Sequence, residues 1–409
     1  MTREADRRAA EELLAGLVGI PSLSGSERQA AEWLVERLRE LGFERSYVDE
    51  AGNAVGEIGA TDAPRMALLL GHIDTVAGEV PVRRGPGDGG VDSLYGRGAV
   101  DAKGPLCSLA CGAARFGAAA ARAAGLRVVV AGAVEEEAPG SRGARHLAGR
   151  FDGRREPRPA VCVIGEPSRW DRLTIGYKGS LLVEVEAERA MTHGAGPHRG
   201  VAASVVEVWL SLERLAATYN RERSKTFDQL QPFLRSIATS SDGLRERAVA
   251  TLSARLPVGF DTGELAAHMI ARVEELCGRA AIREGSLDRP GPDLNVSDLK
   301  VSIEGTELRC TLRFHGYETA YRAPRGGLLA AAFLGAIRQI GHESAAAPEP
   351  RFLVKTGTSD MNVVGPVFEC PILAYGPGDS SLDHTPHEHL ALDEYWRATR
   401  VVETALRRL

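Results

Sequence analysis

Apolar and charged positions recur at helical spacing over residues 4–18 and 26–41. Between them the breaker run PSLSGS offers Ser24 and Ser26 as N-caps. Short β-like runs follow: YVDE, NAVGEIG and the apolar RMALLLGH, which ends at His72. The Ala-rich stretch 102–124 reads as one helix, and LRVVVAGAV (126–134) as a buried strand. A helix over 141–150 and a second buried strand, PAVCVIG (159–165), come next. Continuous apolar strands alternating with helices predict an α/β fold with a mostly parallel sheet covered by helices on both faces.

The texture changes near residue 177. LLVEVEAE alternates with period two, as a half-exposed strand does. A helix (200–218), a polar Arg-rich stretch (220–231), a strand near 248–257, a helix (262–279) and strands near 298–304 and 307–315 follow. The strand–helix–strand–strand–helix–strand order predicts a small α+β, ferredoxin-like domain with one open face. From 326 the first texture returns, with a helix (326–340), strands at 351–355 and 370–375, and a final helix (392–408). The predicted organisation is a main domain in two pieces, 1–176 and 318–409, with a smaller domain, 177–317, inserted between them.

At 409 residues the chain is long enough for two domains, and 44% hydrophobic content excludes disordered, collagen-like and coiled-coil classes. With 50 basic residues against 55 acidic, the net charge of -5 argues against a general nucleic-acid or membrane-surface binder. The opening MTREADRRAAEELLAGLVGI is too charged for a signal peptide, and no run reaches the ~18 apolar residues of a membrane span. A soluble, cytoplasmic protein is expected. Six cysteines are too sparse for a disulfide scaffold, and Cys107 and Cys111 are expected to be buried thiols. Only five basic residues are lysines, and three of them (Lys103, Lys178 and Lys355) sit in the Gly-rich turns VDAKG, GYKG and VKTGTSD. An ammonium differs from a guanidinium in shape and hydration, so these turns are candidates for a specific lysine task.

The candidate chemistry lies at strand ends. RMALLLGH closes on His72, followed by Ile73 and Asp74. Asp101 stands in GRGAVDAKG, a Gly-rich turn opening a helix. Glu135, Glu136 and Glu137 follow the strand 126–134, Glu166 follows 159–165, and His384 lies in SLDHTPHEHL. In an open α/β sheet the ligand crevice lies at the carboxyl ends of the strands. Carboxylates crowded there repel one another unless a cation neutralises them. Histidine plus carboxylate suits a zinc-type ion, and these ligands exceed one tetrahedral shell, so two ions are the economical reading.

GHIDTV, GRGAVDAKG, EEEAPGSRGA, IGEPS and the late histidine together resemble the dinuclear zinc aminoacylase/carboxypeptidase family, which includes acetylornithine deacetylase and succinyl-diaminopimelate desuccinylase. The resemblance covers essentially the whole chain. It implies a zinc-exopeptidase-like domain holding two Zn2+ (with Co2+ able to replace it) and an inserted lid that mediates homodimerisation. By position, His72 resembles the ligand of one zinc, Asp74 its orienting partner, Asp101 the bridging carboxylate and Glu166 the ligand completing that zinc. Glu137 and His384 resemble ligands of the second zinc, and Glu136 the general base. The family usually has Asp-Glu-Glu where this chain has Glu-Glu-Glu, so a one-residue slip would make Glu135 the base.

In the inserted domain, GYKGSLLVEVEAERAMTHGAGPHRG resembles the family's first lid strand and histidine turn. His193 then corresponds to the histidine that reaches across the dimer to polarise the scissile carbonyl, with His198 a bystander. Arg255, in LSARLPVGFD, resembles the lid arginine that holds a substrate carboxylate. KTGTSDMN resembles the loop sharing that task, so Lys355, Gly357, Thr358 and Ser359 join Lys178 as candidate substrate-binding residues.

GHIDTVAGEVPV, GYKG and AYGPGDSSLDHTP look closest to the branch of amino-group-carrier-protein lysine/ornithine hydrolases. That branch implies release of lysine or ornithine from the γ-carboxyl of a carrier's C-terminal glutamate, in amino-acid biosynthesis. The substrate would then be an acidic protein tail, with Arg221, Arg223 and Lys225 able to steer it. The alternative is a small-molecule N-acyl-amino-acid deacylase of the acetyl-lysine/acetylornithine type.

Overall fold

The computed structural model describes residues 3–193, 200–278, 282–284, 299–305, 307–343 and 349–409. They form two compact units. One comprises residues 1–176, 321–354 and 359–409, the other 177–320 and 355–358.

The larger unit is built on a mixed nine-stranded sheet. At its centre Arg65–His72 runs parallel to both Leu126–Ala133 and Val161–Gly165, and Val161–Gly165 runs parallel to Ile372–Ala374. Outside this parallel core Ala54–Ile58 and Arg45–Val48 pair antiparallel. Every residue of Leu126–Ala133 is buried, so side chains on both faces of the strand are covered. Leu34, Leu38, Leu106, Leu109, Val128 and Val130 share the main apolar core with Trp396 and Val401 of the last helix, Leu392–Leu406. Since the four central strands are parallel, their carboxyl ends lie together, and His72 and Gly165 stand at two of those ends.

Three local readings change. The helix expected over 102–124 is two, Lys103–Phe116 and Ala118–Ala123, because Gly117 between them adopts a φ of +81°. Helix Arg28–Glu40 has Glu27 rather than a serine at its N-cap, and the Ser24 hydroxyl is used elsewhere. A helix over Asp360–Phe368 begins inside the stretch expected to be a loop. Ser359 and Asn362 form its capping box, and Pro366 interrupts the periodicity that would have announced it.

In the smaller unit the strands order as Gln231–Ser241, Arg245–Leu256, Gly179–Ala190, Arg309–Glu318, Lys300–Glu304 and Ile282–Glu284, with every described pairing antiparallel. Gly179–Ala190 alternates buried and half-buried residues along most of its length. Leu181, Val183, Val185 and Ala187 form a second core with Val205 and Leu212 of helix Val201–Asn220 and with Leu265 and Met269 of helix Thr262–Cys277. Its opposite face carries ion pairs such as Glu186 with Arg247. The strand Gln231–Ser241 escaped the sequence pattern. It is an edge strand, exposed for most of its length, with no buried face to impose alternation.

Candidate metal centre

Two groups of side chains meet at Asp101. His72 Nε2 lies 3.3 Å from Asp101 Oδ1 and 3.9 Å from Glu166 Oε1. His384 Nε2 lies 3.0 Å from Asp101 Oδ2 and 2.8 Å from Glu137 Oε1. Each oxygen of one carboxylate therefore faces a different imidazole. Donor atoms of His72, Asp101 and Glu137 all fall within 4.8 Å of one another, and Glu166 and His384 flank them. Nitrogen and carboxylate donors at this spacing fit divalent zinc-type ions.

The supporting bonds are as directed as the donors. His72 Nδ1 faces the Asp74 backbone oxygen at 3.1 Å and its carboxylate at 3.4 Å, which aims Nε2 inward. Asp74 also accepts the backbone N–H of Glu136 at Oδ1 and of Glu137 at Oδ2, and Ser24 Oγ donates to it at 2.7 Å. A single buried aspartate thus orients the imidazole and fixes the peptide carrying the two glutamates. Glu27, at 3% exposure, accepts the Glu135 N–H. Glu135 and His384 both hold positive φ, 58° and 59°, a conformation side chains rarely adopt without a compensating role.

The Glu-Glu-Glu run is sorted by its neighbours. Glu135 pairs with Arg142 at 2.9 Å, Glu137 reaches His384, and Glu136 lies among Glu166, Asp360 and Glu137. Gly143, six residues after Glu137, packs against the strand end, where a Cβ would meet Asn53 Oδ1 at 2.3 Å and Val134 N at 2.5 Å.

The electrostatics reflect this crowding. Desolvation pushes the Glu136 carboxyl well above its usual range; His72 opposes the rise, and Glu166 and Asp360 add to it. Burial pulls His72 down, yet Asp101 and Asp74 hold it well above an ordinary imidazole. Hydrogen bonds to Asp101 and then Glu137 raise His384 to about 10. Burial would raise Asp101, but the two imidazoles hold it well below the usual carboxylate range. The cluster attracts positive charge, whether protons or a metal cation.

The remaining sequence candidates belong to the smaller unit, apart from Ser359. Arg255 Nη1 donates to Thr358 Oγ1 at 3.2 Å, which joins two of the residues expected to bind a substrate carboxylate. His193 is exposed, and His198 lies outside the described residues. One expectation needs correction. Lys178 is buried, and its ammonium donates to the Thr226 and Gln229 carbonyls and to Gln231 Oε1. An ammonium has three donors, so Lys178 holds the polar stretch together and has none left for a substrate. Ser359 donates its N–H to Asn362 and accepts from Met361 N, which leaves only its hydroxyl proton for a ligand. Lys355 reaches within 6.0 Å of the Tyr177 ring, and Gly357 stands open. Arg223 of the expected steering run stacks 3.7 Å over Tyr219.

Sequence reasoning missed Ser24, Glu27, Asp360 and Glu388. Glu388 stands in the same SLDHTPHEHL run as His384, but nothing in that run says its carboxylate is fully buried. Among the described residues no helix is long and apolar enough to cross a membrane.

The sequence profile of peptidase family M20/M25/M40 matches residues 68–408. A LysW-lysine hydrolase of Deinococcus radiodurans is 41% identical over 100% of this chain and 99% of its own. A putative LysW-lysine/LysW-ornithine hydrolase of Pyrococcus abyssi is 33% identical over 96% of this chain and 92% of its own. Among solved structures, an M20 family metallo-carboxypeptidase of Sulfolobus solfataricus aligns with a TM-score of 0.69 at 15% identity, covering 97% of this chain and 98% of that one. Human carnosine dipeptidase 1 aligns at 0.71 and 14% identity, covering 99% and 96%. At such identities these two likenesses concern the fold.

Proposed function

The chain belongs to peptidase family M20/M25/M40, and on that premise we propose that it is a metal-dependent amide hydrolase releasing lysine or ornithine from the C-terminal glutamate γ-carboxyl of an amino-group carrier protein. The chemistry rests on one observation: the two oxygens of Asp101 each face a different histidine. The substrate class is supported by full-length similarity to LysW-lysine hydrolase.

His72, Asp101 and Glu166 would hold one Zn2+, and Asp101, Glu137 and His384 the other, with Co2+ able to replace either. When bound, the ions supply a water acidified toward a pKa of ~7 and a Lewis acid for the scissile carbonyl. Glu136 would take a proton from an attacking water and deliver it to the leaving α-amine. Asp74 keeps His72 in one orientation. Arg255, with Gly357, Thr358, Lys355 and the Ser359 hydroxyl, holds the free carboxylate of the departing amino acid, for which a guanidinium fork is suited.

Side-by-side kcat/KM values on carrier-bound lysine, carrier-bound ornithine, acetyl-lysine and acetylornithine test the substrate. We expect the carrier-bound compounds to lead by at least ~100-fold, because remote contacts contribute to the transition state. Preference for the acetyl compounds would replace this reading with the N-acyl-amino-acid deacylase. On the preferred substrate Arg255→Ala is expected to raise KM by ~10–100-fold, as loss of a charge-assisted bond does. An unchanged KM would remove Arg255 from the site.

We propose also that the chain is a homodimer through the smaller unit, with His193 of each copy serving the oxyanion in the other. Gln231–Ser241 ends its sheet, and its Phe233 and Ile237 are 51% and 42% exposed. An unpaired apolar edge is a ready template for a second strand. Ile237→Asp is expected to give monomers in sedimentation velocity and at least ~100-fold lower kcat, the scale of a lost oxyanion donor. A fully active monomer would show that no residue is supplied in trans.

A further inference from the structure

Glu388 takes no part in the scheme above, yet it is fully buried beside the loop that carries Asp101. Its Oε1 accepts the backbone N–H of Val100 at 2.9 Å and of Asp101 at 3.1 Å. Its Oε2 accepts from Arg97 Nη1 at 2.8 Å, and Arg97 Nε donates to the Gly78 carbonyl, also at 2.8 Å. Gly96 N reaches back to the Glu388 carbonyl at 3.4 Å. The loop from Gly96 to Asp101 is thus tied at several points to a residue only four positions beyond His384.

Enclosing a carboxylate here is costly, and an apolar side chain would fill the same space without that cost. What the carboxylate adds is direction. Two successive N–H groups converge on one oxygen, which fixes the peptide planes on both sides of Val100 and so the starting point of the Asp101 side chain. The carboxylate also sets the register between that loop and the segment bearing His384. Both sides of the Asp101–His384 contact are therefore referred to one group.

We propose that Glu388 is a positioning residue for the metal pair, holding the Asp101 carboxylate midway between His72 and His384 through the backbone N–H groups of Val100 and Asp101. The proposal rests on the two-metal reading and adds to it a residue that touches neither ion nor substrate. Residues that orient metal ligands typically change affinity ~10–100-fold when replaced.

The test uses the full-length protein stripped with a chelator, titrated with Zn2+ against a chromophoric competitor and with Co2+ followed by visible absorption. For Glu388→Gln we expect an unchanged melting temperature of the stripped protein, zinc affinity weakened by ~10–100-fold and a shifted cobalt spectrum. Activity should rise again with added zinc at nearly unchanged KM. A zinc isotherm and cobalt spectrum matching wild type would overturn the proposal. If Glu388→Gln fails to fold, Arg97→Gln is read instead. It leaves both amide contacts and removes the charge partner, so a smaller loss of zinc affinity with the same spectral shift is expected, and a wild-type isotherm overturns the proposal. Absence of zinc binding by the wild-type protein would instead sink the metal reading itself.

Discussion

Replacing Glu136 with glutamine is expected to leave a folded, metal-loaded protein whose kcat falls by about 10²–10⁴-fold, the range general acid–base catalysis supplies. The neighbourhood explains why the effect should be so selective. The Glu136 backbone N–H is bound by Asp74, and that bond survives the substitution. Glu135 is paired with Arg142, and Glu137 contacts His384. Glutamine keeps the shape of the side chain but cannot take a proton from water and return it to an amine. Measuring kcat at saturating substrate, together with metal content by elemental analysis, checks both halves. Near-normal turnover would move the base elsewhere, and Glu135 would be examined first.

The second large effect is expected at Asp101. Asparagine there retains the volume but replaces one oxygen with an amide nitrogen that cannot face an imidazole ligand's metal as a donor. Each Asp101 oxygen serves a different histidine, so a single substitution weakens both halves of the site. Removing one partner from a buried charged cluster costs about 3–5 kcal/mol, or roughly 10²–10⁴-fold in affinity. Asp101→Asn should therefore purify with less than the wild-type metal content and with activity near background. Chelation should abolish wild-type activity and zinc should restore it, while the variant should respond weakly to either treatment. A variant carrying two ions per chain would mean that Asp101 does not bridge.

The strands of the larger unit were legible because burial on both faces leaves continuous apolar runs, as in RMALLLGH and LRVVVAGAV. Their parallel order follows from helices intervening between them. The ligand candidates were legible for the same reason, since His72, Glu137 and Glu166 each sit just past such a run. The edge strand Gln231–Ser241 and the break at Gly117 were not. An exposed strand has no buried face to print a period, and Ala-rich sequence continues unchanged through a left-handed residue. Lys178 misled for a related reason. Its Gly-rich turn suggested a ligand contact, while the three oxygens that occupy its ammonium lie about fifty residues further along the chain.

Residue types and their placement after apolar strands were enough to determine an α/β sheet and to point to imidazole and carboxylate side chains at the carboxyl ends of its strands, because those features depend on local periodicity and side-chain chemistry. Which carboxylate faces which imidazole was decided only in three dimensions. Asp74, Glu27 and Glu388 act on backbone groups between 62 and 288 positions away, and contacts at such separation leave no mark on local pattern. Glu135, Glu136 and Glu137 acquire different neighbours in the same way: three identical side chains in a row differ only in the groups that folding brings to each.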